Sequence, residues 1–190
     1  MKAIKFTFNE RKAAQTAGRL IQHSGGEMNY LALMKLLYLV DREALIRFGK
    51  PITGDKVVAM KHGPVLSRIY DLVSHKKQRL PTSDWHKFIP RPGAYVYTVK
   101  FAGVPETSEL SQAEVALVDE IYTRHHAKTE WELTHFTHTL PEWSDPKGTS
   151  IPIPFEKILR GAGVSAAQMR GITEAADADW QMDQLLASVR

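Results

Sequence analysis

The sequence predicts an α+β fold that is predominantly α-helical, a helix-rich single domain with a small antiparallel β-sheet. Three observations predict it. Several long stretches place apolar residues at helical spacing, three of the helices open on capping-box patterns, and strand-like alternation is confined to short runs. At 190 residues, with 43% hydrophobic and 24% charged residues, the chain suits one domain with a sizeable core.

The first fifty residues predict one strand and two helices. Ile4–Phe8 alternates apolar with polar side chains, which is typical of a short strand. A helix is expected over Asn9–His23, because a capping residue begins it and a Ser-Gly-Gly run follows it. The second helix is expected over about Met28–Phe48, with Gly49 ending it near a C′ position.

The middle of the chain predicts short strands around one helix. Val57–Met60 is a short apolar run between polar residues, and we expect a strand there. Gly63-Pro64 is expected to begin a helix to about His75, because proline suits a first helical turn. Strands are expected at Trp85–Ile89 and, with clearer alternation, at Tyr95–Phe101.

The last eighty residues predict three further helices. Each opens on a Ser/Thr-x-x-Glu/Gln capping box: Ser111 to about His126, Thr129 to Thr139, and Ser165 to about Val189. The proline-rich segment Pro141–Pro154 is expected to be an extended loop. We expect residues 1–154 to form the main domain and residues 155–190 a C-terminal helical extension packed on it.

The composition excludes several classes of protein. The chain has no cysteine, so disulfides, thiol nucleophiles and cysteine metal sites are excluded. No apolar run approaches the roughly 20 residues that span a bilayer, and no hydrophobic segment follows Lys5, so we expect a cytoplasmic protein without membrane partners. Residues 35–100 hold thirteen Lys or Arg against five Asp or Glu, which favours acidic partners or a solvated basic face.

One carboxylate is placed where a core residue should be. On the second helix, Asp41 lies four residues from both Leu37 and Leu45, in the apolar stripe that Met34 and Phe48 extend. An unpaired buried carboxylate costs several kcal/mol, roughly, so Asp41 should have a partner. The candidate partners have basic or hydrogen-bonding side chains, and they are His62, Arg68 and the histidines near residue 135. We interpret Asp41 as a buried clamp, with a catalytic or metal-binding carboxylate as the alternative.

Other combinations of residues leave alternatives open. His135 and His138 are three apart on one helix, and with Asp41 they supply the ingredients of a metal site, although no His-Glu-x-x-His is present. Gly49–Asp55 lacks the Lys-Ser/Thr of a phosphate loop, and no nucleophile elbow occurs. We therefore predict no cofactor, no metal and no enzyme. A metal-dependent hydrolase built on Asp41, His62 and His135, or nucleic-acid binding by the basic half, remain the alternatives.

Three segments resemble the signature of the Panacea domain, also called SocA-like. They are Lys35–Arg42 (K-L-L-Y-L-V-D-R), Gly49–Asp55 (G-K-P-I-T-G-D) and His62–Val65 (H-G-P-V). The resemblance is dense over Met28–Tyr70 and thinner from Ser111 to Trp143, so residues 28–143 match best. It also places a histidine followed by a tryptophan, which we identify as His135 and Trp143.

The resemblance implies an antitoxin from a bacterial or phage toxin–antitoxin pair, which neutralises its toxin by direct protein–protein binding. The expected partner is a cognate toxin encoded by the adjacent gene. A role as a proteolytic adaptor that delivers the toxin to a protease is the alternative within the family. We expect the residues that match the family motifs to act as structural clamps. They are Lys35, Tyr38, Asp41, Arg42, Gly54, Asp55, His62, Gly63, Pro64, His135 and Trp143.

The C-terminal helix carries an apolar stripe of its own, formed by Ile172, Ala176, Met182, Leu186 and Val189. Such a helix can pack on its own domain, pair with a second copy of the chain or bind a groove on a partner. We expect it to pack on its own domain, and the homo-oligomer and the partner contact stay open.

Overall fold

The computed structural model describes residues 3–74, 83–90 and 97–188. Within these ranges the chain forms eight helices and five short strands. In chain order they are α1 (Glu10–His23), β1 (Glu27–Asn29), α2 (Tyr30–Phe48), β2 (Val57–Met60), β3 (Gly63–Leu66), α3 (Ser67–Val73), α4 (Asp84–Phe88), β4 (Thr98–Lys100), α5 (Gln112–His125), α6 (Glu130–His138), β5 (Ile151–Ile153), α7 (Phe155–Gly161) and α8 (Ala166–Ser188). The predicted helix-rich α+β class is confirmed.

The strands form two small antiparallel sheets. In the first, β1 pairs with β4, with Met28 opposite Val99. In the second, β2 lies between β3 and β5, so that Val57 faces Leu66 on one side and Ile153 on the other. β5 falls inside the proline-rich segment predicted to be loop, and that prediction is wrong there because β2 offers an edge to pair with.

Helix α2 is the centre of the core. All residues from Leu33 to Asp41 are buried, and α2 contacts α1, α5, α6, α7 and β3. Asn29 caps its first turn by accepting a hydrogen bond from Leu31 N at 2.8 Å, so the helix begins slightly after the predicted start. Gly49 ends it with φ +72°, as predicted.

Local capping signals located the other long helices correctly. Asn9 caps α1 through Lys12 N, and capping boxes with Ser111 and Thr129 open α5 and α6. At the start of α8 the hydroxyl of Ser165 accepts from Gln168 N at 3.3 Å, and the Gln168 side chain accepts from Ser165 N in return. The starts of these four helices were predicted from residue patterns whose contacts span only three residues.

Two strand predictions are wrong. Ile4–Phe8 has no regular secondary structure and belongs to neither sheet. Trp85–Ile89 is mostly helix α4, because the Ser83 hydroxyl accepts from His86 N and the Glu10 carboxylate accepts from Trp85 N. Of the predicted strand Tyr95–Phe101, Thr98–Lys100 is confirmed as β4, and Tyr95 lies outside the described residues.

The predicted helix start at Gly63-Pro64 is also wrong. Gly63 has φ +91° and turns the chain, so that Pro64 pairs with Ala59 in the β2–β3 ladder. The helix begins four residues later, at Ser67, and ends at Val73. The predicted end at His75 lies outside the described residues.

The C-terminal region packs on the core over most of its length. Helix α7 was not predicted, and it buries Phe155, Ile158 and Leu159. Helix α8 buries Met169 and Ala176 against the same cluster of apolar side chains. Its last turns differ, since the side chains there are more than half exposed: Met182, Leu185 and Leu186. None of the helices in the described ranges is both long and apolar enough to cross a membrane.

The loop after α2 is held tightly against the N-terminal segment. Asn9 N donates to Thr53 O at 2.8 Å, and Gly54 follows with φ +68°. A Cβ at Gly54 would overlap the carbonyl oxygen of Thr7. Glycine is therefore required at position 54 by both the backbone conformation and the contact.

Gly54→Ala should lower the free energy of unfolding by more than about 3 kcal/mol, because the left-handed conformation and the backbone overlap both penalise a side chain. Gly25→Ala is the matched control: Gly25 has φ +87° with no atom near its would-be Cβ, so only about 1 kcal/mol should be lost. Urea denaturation measures both. Equal losses in the two variants would contradict the close packing at Gly54.

Candidate functional site

The motif segments meet on the polar side chains of α2. Four of these side chains point into the interior or its margin, and each contacts a segment outside α2. They are Lys35, Tyr38, Asp41 and Arg42. Three polar clusters result, which we name after their residues: the Asp41 clamp, the Glu142 clamp and the Lys35 cluster.

The Asp41 clamp joins α2 to the loop that follows it. Asp41 is 3% exposed, its Oδ1 accepts from Thr53 N at 2.9 Å, and its Oδ2 accepts from the Thr53 hydroxyl. Burial raises the pKa of Asp41 to about 7, although the hydrogen bonds from Thr53 act in the opposite direction. Asp41 is buried as expected. The expected histidine and arginine partners are wrong, because the amide and the hydroxyl of Thr53 in the following loop donate to its carboxylate instead.

Asp55 extends the Asp41 clamp to the start of α3. Its Oδ2 accepts from Arg68 N at 2.8 Å and Ile69 N at 3.0 Å, so it satisfies free amides of the first helical turn. Its own amide donates to the Thr53 hydroxyl oxygen at 3.2 Å, which links the two carboxylates through one side chain. Burial raises the pKa of Asp55 to about 6.

The Glu142 clamp joins α2 to the chain after α6. Glu142 is fully buried, and its Oε1 accepts from the Tyr38 hydroxyl and from Arg42 Nε, the latter at 2.6 Å. Burial is the main cause that raises the pKa of Tyr38. Our reading of the sequence did not single out Glu142. The signal was present, because Tyr38 and Arg42 lie four residues apart on a buried helix and require an acceptor.

The Lys35 cluster joins α2 to the His-Gly-Pro turn and α6. Lys35 is fully buried, and its Nζ donates to Pro64 O at 2.9 Å. A Cβ at Gly63 would lie 2.7 Å from Thr137 Oγ1 and 2.8 Å from Lys35 Nζ, so these groups pack directly on the glycine. Burial lowers the pKa of Lys35 to about 7, and no ion pair to it occurs in the described ranges.

The histidine that packs with Trp143 is His138 and not His135. The rings of His138 and Trp143 stack with centroids 3.9 Å apart, and Trp143 Nε1 donates to Met60 O at 3.3 Å. Burial and the charge of Lys35 lower the pKa of His138. His135, the histidine that the resemblance pairs with Trp143 in the sequence, lies one helical turn earlier and is exposed.

The remaining motif histidine lies on the surface. His62 is exposed and packs edge-on against Trp131, with centroids 5.8 Å apart. Asp41, His62 and His135 therefore do not converge as the hydrolase alternative requires, and the described part of the chain contains no group of three or more His, Asp or Glu arranged to hold a metal. The arrangement instead pins the loop, the turn and the segment after α6 onto one helix.

The comparison with known families matches the same part of the chain. A family model described as antitoxin SocA-like, Panacea domain, matches residues 33–144. This range begins at the buried part of α2 and includes Glu142 and Trp143. No curated protein and no solved structure matches the chain.

Asp41→Ala should lower the free energy of unfolding by about 2–5 kcal/mol, because it leaves the amide and the hydroxyl of Thr53 buried without an acceptor. The measurement is urea denaturation near pH 6. Asp183→Ala, at an exposed position on α8, is the control and should stay within about 0.5 kcal/mol of wild type. A loss of the same small size at Asp41 would mean that the clamp adds nothing to stability.

Lys35→Met should remove a specific pH dependence of stability. The folded pKa of Lys35, about 7, lies below its ordinary 10.5, so the wild-type protein gains stability as the pH rises from 7 towards 10. Methionine does not titrate in this range. The free energy of unfolding of wild type, relative to that of Lys35→Met, should therefore rise by about 3 kcal/mol between pH 7 and pH 9.5. Urea denaturation at both pH values measures this difference, and a constant difference would contradict the uncompensated burial of Lys35.

Proposed function

The chain belongs to the SocA-like antitoxin family with a Panacea domain, and on that premise we propose that it neutralises a cognate protein toxin by direct binding. The observation that carries the proposal is the family match over residues 33–144. This match spans the three clusters that hold the core together. The partner that we propose is the product of the adjacent gene.

The chemistry of the motif residues supports binding over catalysis. The oxygens of Asp41 and Asp55 accept hydrogen bonds from Thr53, Lys56, Arg68 and Ile69, and Glu142 accepts from Tyr38 and Arg42. A general base or nucleophile needs a group that reaches a substrate. These side chains are directed into the protein, so we propose that they maintain a framework whose surface meets the toxin.

Co-expression tests the proposal. The product of the adjacent gene should stop growth when it is expressed alone, and co-expression of this chain should restore growth. The two proteins should also co-purify. Leu37→Asp, which places a charge in the centre of the core, is the control and should fail to rescue because it does not fold.

The amount of toxin in the rescued cells separates the two ways of neutralising it. Under direct neutralisation the toxin persists as a complex at an unchanged level. A fall in toxin that depends on a protease would indicate the adaptor role. A harmless neighbour, or a toxin that kills regardless of this chain, would overturn the proposed function for this pair.

A further inference from the structure

The N-terminal segment shows the alternating burial that is typical of a strand, but it belongs to neither sheet. Along residues 4–8 the side chains alternate, with Ile4 buried, Phe6 and Phe8 half-buried, and Lys5 and Thr7 exposed. The segment is tied down at both ends, where Ile4 N donates to the Glu156 carboxylate at 2.8 Å and Asn9 N donates to Thr53 O. Between them, Thr7 O lies against Gly54. No backbone–backbone hydrogen bond involves Lys5 or Phe6 within the described residues.

A groove follows this segment. Two cavities of about 390 Å³ each share residues 5–8, Gly54 and Trp180 in their walls. On the far side, Trp180 and Gln184 of α8 line one cavity and Leu186 lines the other. Phe155 also lines one of the two cavities. We name this feature the N-terminal groove. Its walls follow the four residues 5–8, and four extended residues of a bound peptide span about 13 Å at about 3.3 Å per residue.

The N-terminal groove is basic on one rim. Lys5, Lys56 and Arg68 line it and are exposed. The acidic residue in this part of the lining, Asp55, is buried and bonded to backbone amides. Lys5 Nζ lies 5.7 Å from the ring centroid of Trp180, and Arg68 Cζ lies 5.4 Å from that of Phe8, so each of these two cations packs on an aromatic ring of the lining.

The other cavity is closer to neutral. Lys12 pairs with Glu114 at 2.7 Å, and Lys50 pairs with Asp179 at 2.6 Å. Asp183 also lines this cavity and is exposed, so it adds a negative charge at this end of the groove. Leu186, 58% exposed, adds apolar surface at this end. The groove therefore combines an unpaired backbone edge, a positive rim and an apolar end.

We propose that the N-terminal groove binds an extended acidic peptide segment of a partner protein, which pairs with the main-chain groups of Lys5 and Phe6. The identification of that partner as the toxin rests on the proposed function. A free strand edge gives affinity through main-chain hydrogen bonds, and side-chain pockets add specificity. Alternate residues of the peptide would place carboxylates near Lys5 and Lys56 and apolar side chains against Trp180. Nucleic acid is disfavoured, because its backbone cannot reproduce the paired amide and carbonyl pattern of a strand.

A defined probe tests the chemistry of the groove. The probe is a fluorescent peptide of about ten residues that alternates glutamate with valine. Fluorescence anisotropy should show binding to the wild-type chain, and hydrogen exchange should show protection of the amides of Lys5 and Phe6. The Lys5→Glu/Lys56→Glu double variant should raise the Kd at least about tenfold.

The matched control is Lys61→Glu/Arg170→Glu, which makes the same change in net charge at exposed positions outside the groove. It should change the Kd by less than about twofold, and both double variants should keep the urea midpoint of wild type. No binding by wild type, equal losses in the two double variants, or tighter binding of a single-stranded oligonucleotide of equal charge would overturn the proposal.

The growth assay then tests whether the toxin is the occupant. Lys5→Glu/Lys56→Glu should lose rescue and co-purification, whereas the control double variant should keep both. Full rescue by Lys5→Glu/Lys56→Glu would overturn the assignment of the groove to the toxin and leave the proposed function intact. A wild-type chain that does not rescue overturns the proposed function, and the peptide measurement still decides the chemistry of the groove.

Discussion

The structure depends on one constraint: helix α2 is buried around most of its circumference and still carries ionisable side chains. A buried polar group without a partner costs about 1–3 kcal/mol, and a charged one costs more. Each such group on α2 therefore determines where another segment must lie. Asp41 positions the loop at Thr53, Lys35 positions the turn at Pro64, and Tyr38 with Arg42 positions Glu142.

These contacts explain why the motif has the residue types it has. Position 54 requires glycine because Thr7 O occupies the space that a side chain would take. Position 63 requires glycine because the side chains of Thr137 and Lys35 occupy the corresponding space there. Asp55 is an acid because two amides of α3 require an acceptor. Buried ion pairs and polar clusters are weak sources of stability, and we infer that their main effect here is to specify one arrangement of three chain segments around α2.

The motif residues and the exposed features of the surface lie in different parts of the structure. The motif residues lie mainly inside and form the framework, whereas exposed features lie elsewhere: the N-terminal groove, the end of α8 and the His62–Trp131 pair. On the proposed function, an interior motif identifies the framework without identifying the toxin. Exposed charges and apolar side chains can change with the partner at little cost to folding.

The sequence by itself determined the elements whose signals are local. The helices opened by Asn9, Ser111 and Thr129 were predicted because a cap and its amide lie within three residues of each other. The burial of Asp41 followed from the apolar stripe on which it lies.

Tertiary structure alone decided which groups are partners. Glu142 lies 104 residues from Tyr38, and nothing local shows that they meet. His138 replaces His135 beside Trp143 because the rotation of α6 depends on its packing against α2 and β3. Gly63–Leu66 is a strand because β2 lies beside it, which outweighs the preference of proline for a helix start. Local propensities differ by at most a few kcal/mol, so a ladder of hydrogen bonds or a buried charge that needs a partner outweighs them.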